Sequence, residues 1–190
     1  MSRLIIAVFL LACGMAQADQ ILTNPSFESG SIAPWTDDNR FGSGTWSITN
    51  AGCNSGFCAT VDGNVGLIQT FTPVAVSDIT DISFYAEHPG GASALAVDLL
   101  YSGGGDDEFI VETTDEAWDF FDVFADLRAT GSLDGFEVFG NSGGVTLLDD
   151  TNVSAASAAP EPASFGLALV GLMGAVGARV RARRSTPGSR

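Results

Sequence analysis

Short runs of β-branched and aromatic residues recur through the middle of the chain, and clusters of Gly, Asn, Asp and Pro separate them. This spacing is typical of antiparallel β-sandwiches, and no segment between the two ends has useful helical periodicity. We therefore predict an all-β fold. The expected strands are 45–50, 65–71, 79–87, 94–101, 108–113, 119–127, 135–139 and 145–153.

The run at 119–127 illustrates the alternation on which this prediction depends. Successive side chains of a strand point to opposite faces. One face would carry Phe121, Val123, Ala125 and Leu127, and we expect this face to lie in the core.

The N-terminus has the pattern of a secretory signal peptide. Arg3 precedes the apolar run 4–12, and Ala16 and Ala18 form a small-x-small cleavage site. We predict that residues 1–18 are removed after Ala18. Cys13 lies in a loose lipoprotein-like box, which leaves lipidation at that residue as an alternative.

The C-terminus has the pattern of a membrane anchor. After the linker 156–162, the apolar segment 163–180 is predicted to form a transmembrane helix, and a basic tail, 181–190, follows it. Positive charge stays on the cytoplasmic side of a bacterial inner membrane. The stop signal consists of Arg179, Arg181, Arg183 and Arg184.

The order Pro160-Glu161-Pro162, apolar helix and arginine cluster closely resembles the PEP-CTERM sorting signal of Gram-negative bacteria. The resemblance implies that an exosortase, a membrane processing enzyme, recognises these three residues. It also implies an exported protein of the cell surface or extracellular matrix in an exopolysaccharide-producing bacterium.

Between the ends, the expected ectodomain (19–155) is strongly acidic. All acids of the chain except Glu161 precede the linker's Pro-Glu-Pro motif, whereas Arg40 and Arg128 are the only bases between residues 19 and 159. This balance argues against nucleic-acid binding. The absence of lysine excludes Schiff-base chemistry and a Walker-type phosphate loop.

Two cysteines remain after signal cleavage. Cys53 and Cys58 flank a short Asn-Ser-Gly-Phe segment. In an oxidising exterior, we predict that they form a disulfide closing a small loop.

Two motifs at the domain edges resemble jelly-roll carbohydrate-binding and galactose-binding-like modules. The first is Asn-x-x-Phe-Glu-x-Gly from Asn24 with Trp35 behind it, and the second is Leu-Asp-Asp-x-x-Val at 147–153. The resemblance implies adjacent first and last strands and a structural Ca²⁺ held by Glu28 and Asp150, with Asn24 assisting. Strand alternation points Asp149 and Asp150 to opposite faces, so only one would take part. The alternative is that Asn24 caps a turn and Glu28 is solvated.

Sugar-binding modules stack aromatic rings on pyranose faces, and Trp35 and Trp118 flank loops where they could do so. The alternative is that these rings are core residues. His88 is expected to be an exposed turn residue, and no Gly-x-Ser-x-Gly elbow occurs. We therefore predict a non-catalytic protein that binds extracellular polysaccharide; the alternative is an acidic structural matrix component with no specific ligand.

Overall fold

The protein is described by a computed structural model that covers residues 18–114, 117–140 and 143–157. Within it, Ala18–Ala156 forms one compact unit. The described part is built from β-strands and two short 3-10 helices, Val76–Asp78 and Phe124–Asp126. The strands are β1 (Ala18–Gln20), β2 (Thr36–Asp38), β3 (Ser47–Thr49), β4 (Cys58–Asp62), β5 (Gly66–Ala75), β6 (Ile79–Glu87), β7 (Ser93–Tyr101), β8 (Asp106–Thr113), β9 (Asp119–Asp122), β10 (Ser132–Phe139) and β11 (Val145–Ala156).

These strands form two antiparallel sheets, so the predicted β-sandwich is confirmed. The six-stranded sheet has the order β3-β4-β11-β6-β9, and β1 pairs with the end of β11. The five-stranded sheet has the order β2-β5-β10-β7-β8. The first and last strands are therefore neighbours, as the jelly-roll resemblance implies.

The core lies between the two sheets and consists of their inward-facing apolar side chains. Phe84 of the six-stranded sheet contacts Phe136 of the five-stranded sheet, with ring centroids 5.9 Å apart. Trp35 packs edge-on against the same Phe136 ring at 6.4 Å. Aromatic pairs in this tilted geometry contribute about 0.5–1.5 kcal/mol beyond the burial of their area. These contacts join the two sheets around one centre.

Strand positions agree closely with the sequence prediction where alternation is regular, and differ where it breaks. The segment expected as one strand over 119–127 is a short strand followed by a 3-10 helix. Val123 is buried, but Ala125 is exposed because the helix turns it away from the core. β1, β2 and β4 were not predicted, since β1 and β2 are three residues long and largely polar and β4 begins at a cysteine.

Several predictions concern residues outside the described part of the chain. They are the signal peptide and Cys13, Ala16, the sorting residues Pro160, Glu161 and Pro162, the helix at 163–180 and the arginines from Arg179 to Arg184. Ala18 is the first residue of β1. Across the segments that are described, we find no helix with the length and apolar character needed to cross a bilayer.

Candidate functional site

The two sequence motifs at the domain edges meet at one junction. The carbonyl oxygen of Pro25 accepts hydrogen bonds from the Thr151 backbone N–H at 3.0 Å and from its hydroxyl at 2.7 Å. Asn24 closes the first loop on itself, since its side-chain amide donates to the carbonyls of Ser31 and Ala33. This loop therefore lies against β11.

The predicted disulfide between Cys53 and Cys58 is confirmed, and its loop covers this junction. The Phe57 N–H donates to Glu28 Oε1 at 3.0 Å, and the Ser55 N–H donates to Asp149 Oδ2 at 3.1 Å. We call the disulfide loop 53–58 together with these two carboxylates the clasp.

Gly56 is required at the tip of the clasp. Its φ is +31°, and a Cβ at this position would lie 2.1 Å from Glu28 Oε2. A larger residue would separate the loop from the carboxylate, because the Glu28 side chain or the loop would have to move. The clasp therefore depends on the glycine as well as on the disulfide.

Asp149 and Asp150 both accept hydrogen bonds from the clasp loop, although simple strand alternation would point them to opposite faces. Which of them would hold Ca²⁺ stays a prediction. Asp150 and Thr151 stand opposite a single residue of β6, which makes a β-bulge, and Asp150 has a φ of +45°. The bulge rotates Asp150, and its Oδ2 accepts a bond from the Asn54 amide at 3.3 Å. Burial raises the pKa of Asp149 to about 6.

Within the described segments, no arginine pairs with the acids of the junction, and this suits Ca²⁺ by charge. Its geometry suits Ca²⁺ less well. No three acidic, His or Cys side chains among the described residues converge closely enough to hold a metal ion. Glu28 and Asp149 instead accept N–H groups of the clasp loop. As folded, the junction is closed by hydrogen bonds, and Ca²⁺ binding by Asn24, Glu28 and Asp150 stays a prediction.

The aromatic candidates divide into core and surface residues. Trp35 is only 2% exposed and its indole N–H donates to the Asn24 carbonyl. It is therefore a core residue, and its ring faces are not open for stacking on a sugar. Trp118 is partly exposed, and its indole N–H donates to the carbonyl of Gly52 at 2.9 Å, which fixes the ring on the outer face of the six-stranded sheet.

Trp118 does not stand alone on that face. Phe120 lies two residues further along the same edge of the sheet and is 56% exposed. Its ring packs against Tyr85 of β6 with centroids 5.1 Å apart. We call Trp118, Phe120 and Tyr85 the aromatic strip. Sequence alternation indicated Phe120 as outward-facing, but its pairing with Tyr85 needed the sheet register.

The five-stranded sheet carries a different cluster on its outer face. Asp98 and Glu137 stand directly opposite each other on β7 and β10, and both side chains are fully buried. Arg40 pairs with both of them and with Asp38. Its guanidinium also packs over the Phe139 ring, 5.1 Å from the centroid. One arginine thus pairs with three carboxylates and offsets only part of their charge.

The pKa values of the two buried acids are raised, and burial is the main cause. Burial raises the pKa of Glu137 to about 8 against the pull of Arg40, and burial also raises the pKa of Asp98. Asp98 Oδ1 and Glu137 Oε1 accept no hydrogen bond from the described residues. Sequence analysis missed this cluster, because acidic residues are common in the chain and only the register places these two side by side.

The raised pKa of Glu137 predicts stability that falls with pH. A carboxyl whose pKa is higher in the folded than in the unfolded chain stabilises the fold while protonated, and this contribution is lost as pH rises to about 8. Above about pH 7, Asp149 contributes little to the slope. We expect thermal melts to show a fall approaching about 1.4 kcal/mol per pH unit near pH 7, which levels off as the pH passes about 8. Glu137→Gln should flatten this slope, and an unchanged slope would contradict the assignment.

His88 is not the exposed turn residue expected from sequence. It is 6% exposed, and Gly144 packs so closely that a Cβ there would lie 3.2 Å from its Nε2. Its Nδ1 lies 3.2 Å from the carbonyl oxygen of Gly91. The imidazole ring therefore packs between two loops and is not exposed at the surface.

Together, the two sheets and the paired terminal strands define a jelly-roll β-sandwich, the fold of many carbohydrate-binding modules. No protein-family model matches the chain, and no curated protein sequence matches it. Solved structures do match. The chain is similar to the carbohydrate-binding module TmCBM61 in complex with β-1,4-galactotriose, with 21% identity, a TM-score of 0.54 and coverage of 71% of this chain and 97% of that one.

Two further structures have the same fold. One is the CBM22-1 xylan-binding domain of Paenibacillus barcinonensis Xyn10C, with 17% identity, a TM-score of 0.53 and coverage of 77% and 100%. The other is the enzymatically active domain of bacteriophage CBA120 tailspike protein 4, with 12% identity, a TM-score of 0.55 and coverage of 73% and 21%. At these identities the likeness establishes the fold.

Proposed function

We propose that this chain is an exported bacterial surface or matrix protein whose β-sandwich binds polysaccharide without catalysis. The observation that carries the proposal is the aromatic strip, in which one largely exposed ring, Phe120, and two partly exposed rings, Trp118 and Tyr85, lie on the outer face of one sheet. The fold supports it, because structures of this fold include modules solved with a galactotriose or described as xylan-binding.

The chemistry of the strip suits a pyranose ring. The C–H face of a sugar is apolar and can cover the exposed part of Phe120 and Trp118, which removes apolar area from water. Sugar hydroxyls can then donate to carboxylates beside the rings, and hydrogen bonds to an ionised acceptor are the stronger kind. Asp122 follows Phe120 by two residues and is exposed.

We expect the full chain, purified in mild detergent, to bind at least one member of a panel of neutral and charged polysaccharides in affinity electrophoresis. Trp118→Ala should weaken that binding about 30-fold, as truncation of an aromatic anchor does. The matched control is Phe41→Ala, because Phe41 is also an exposed aromatic residue, at 57% exposure, but lies by Arg40 at the other sheet. A blank panel would favour the structural matrix alternative.

The sorting role rests on the order of the C-terminal segments. The motif Pro160-Glu161-Pro162, the apolar segment 163–180 and the arginine cluster are read as an exosortase substrate signal and a membrane stop. The domain is then held outside the inner membrane until processing places it at the cell surface or in the matrix.

Replacing Pro160, Glu161 and Pro162 with alanine should leave a full-length, membrane-retained protein in a host that has an exosortase. Immunoblots of membrane and medium fractions measure this directly. Processing that continues unchanged would contradict the sorting assignment.

A further inference from the structure

Acidic side chains border the aromatic strip on its own face. On β6, Asp81 and Glu87 lie an even number of residues from Tyr85 and therefore point to the same side of the sheet. On β9, Asp122 stands on the side of Phe120 and pairs in register with Ser83. The strip thus lies within a border of carboxylates.

No described residue brings positive charge to this face. The arginines in the described part of the chain are Arg40 and Arg128. Both side chains pair with acids of the five-stranded sheet. Arg40 pairs with Asp98 of β7 at 3.0 Å, and Arg128 pairs with Asp107 of β8 at 2.6 Å. Their charges are engaged there and do not offset the acids around the strip.

This distribution selects among polysaccharides by charge. An anionic sugar polymer would meet carboxylates of the same sign and no cation among the described side chains. A protonated amine would be attracted twice, by the carboxylates and by the π faces of Trp118 and Tyr85, which favour cations. A neutral polymer would gain only the stacking contribution.

We propose that the aromatic strip prefers a polysaccharide with free amines, a polymer of amino sugars that lacks some or all of its acetyl groups. This inference rests on the proposed polysaccharide-binding function and specifies its ligand class. Ring stacking holds the sugar, and the surrounding carboxylates take up its ammonium groups.

The test compares three soluble hexamers on the full chain in mild detergent: glucosamine, N-acetylglucosamine and a hexuronate. At about pH 6 the amines are protonated and exposed carboxylates are ionised. We expect the glucosamine hexamer to bind about tenfold more tightly than its acetylated form, and salt to reduce the difference. The hexuronate should bind weakest.

A lysine hexamer separates this preference from general attraction to an acidic protein. Trp118→Ala should weaken glucosamine-hexamer binding several-fold more than lysine-hexamer binding, because only the sugar also loses ring stacking. Asp122→Asn should reduce the preference for the free amine. Phe41→Ala serves as the unaffected control. Equal binding of the acetylated and free-amine hexamers, both lost in Trp118→Ala, would overturn the inference and leave the proposed function standing. Binding of the glucosamine hexamer that does not depend on Trp118 would overturn both assignments to the strip.

Discussion

Arg40→Ala is expected to lower the free energy of unfolding by about 3 kcal/mol, because it leaves Asp98 and Glu137 buried without their cation. For a domain of this size the melting temperature should fall by about 10 °C. Removing one member of a buried ion pair normally costs about 3–5 kcal/mol. We expect the lower end, since the Arg40 side chain is 41% exposed and protonation of Glu137 relieves part of the cost.

Arg128→Ala provides the matched control for this variant. It removes the other described arginine, whose partner Asp107 keeps about a third of its side chain exposed, and exposed pairs contribute about 0–1 kcal/mol. Adding Glu137→Gln to Arg40→Ala should recover part of the loss, because it removes an acid that must otherwise be buried as a charge or be held protonated above its ordinary pKa. Equal melting shifts for the two arginine variants would show that the Arg40 cluster is not a buried charge centre.

Replacing Cys53 and Cys58 together with alanine is expected to destabilise the domain by about 3–5 kcal/mol. Closing so short a loop contributes about 2 kcal/mol through the unfolded state. A hydrogen bond contributes about 0.5–1.5 kcal/mol net, and the clasp makes one to Glu28, which is exposed, and one to Asp149. Melts of the full chain with and without a dithiol reductant measure the same loss.

Gly56→Ala separates the clasp contacts from the disulfide, because it keeps the cysteines but places a Cβ against Glu28. Gly30→Ala is its control, since Gly30 also has a positive φ, of +69°, but has nothing within 4 Å of an added Cβ. We expect Gly56→Ala to be clearly the more destabilising. If the two glycine variants melt alike, the hydrogen bonds of the clasp contribute little.

The calcium prediction is tested on the same variants. Calcium binding at the junction of the intact protein would raise its melting temperature, and a chelator would reverse the rise. If the clasp loop already occupies the carboxylates that would bind calcium, the intact protein should not respond to calcium. Only the double cysteine variant and Gly56→Ala, which release carboxylates from the loop, should then respond.

Local sequence rules worked where a single property decides the structure. The strand at Ile79–Glu87 was predicted to the residue, since its inward side chains are regularly apolar and turn residues bound it. The Cys53–Cys58 pair was predicted because these two cysteines remain after signal cleavage and lie only five positions apart. Both features are determined by residues that lie within a few positions of one another in the sequence.

Rules of alternation failed where one strand carries an extra residue. The bulge at Asp150 and Thr151 cannot be located from β11 alone, because it exists only relative to β6. It is the bulge that brings both Asp149 and Asp150 to the clasp. In the same way, the Arg40 cluster requires residues 58 and 97 positions away from Arg40 to meet it.

By itself, the sequence determined the all-β class, the acidic character of the domain, the small disulfide loop and the prediction of export, because composition and short-range spacing carry these properties. The tertiary structure alone decided which aromatic rings face solvent and which acids are buried. Trp35 and Trp118 both flank loops in sequence, yet one lies in the core and the other on the surface. The reason is that burial depends on strand pairing and sheet packing between distant segments, which no local pattern records.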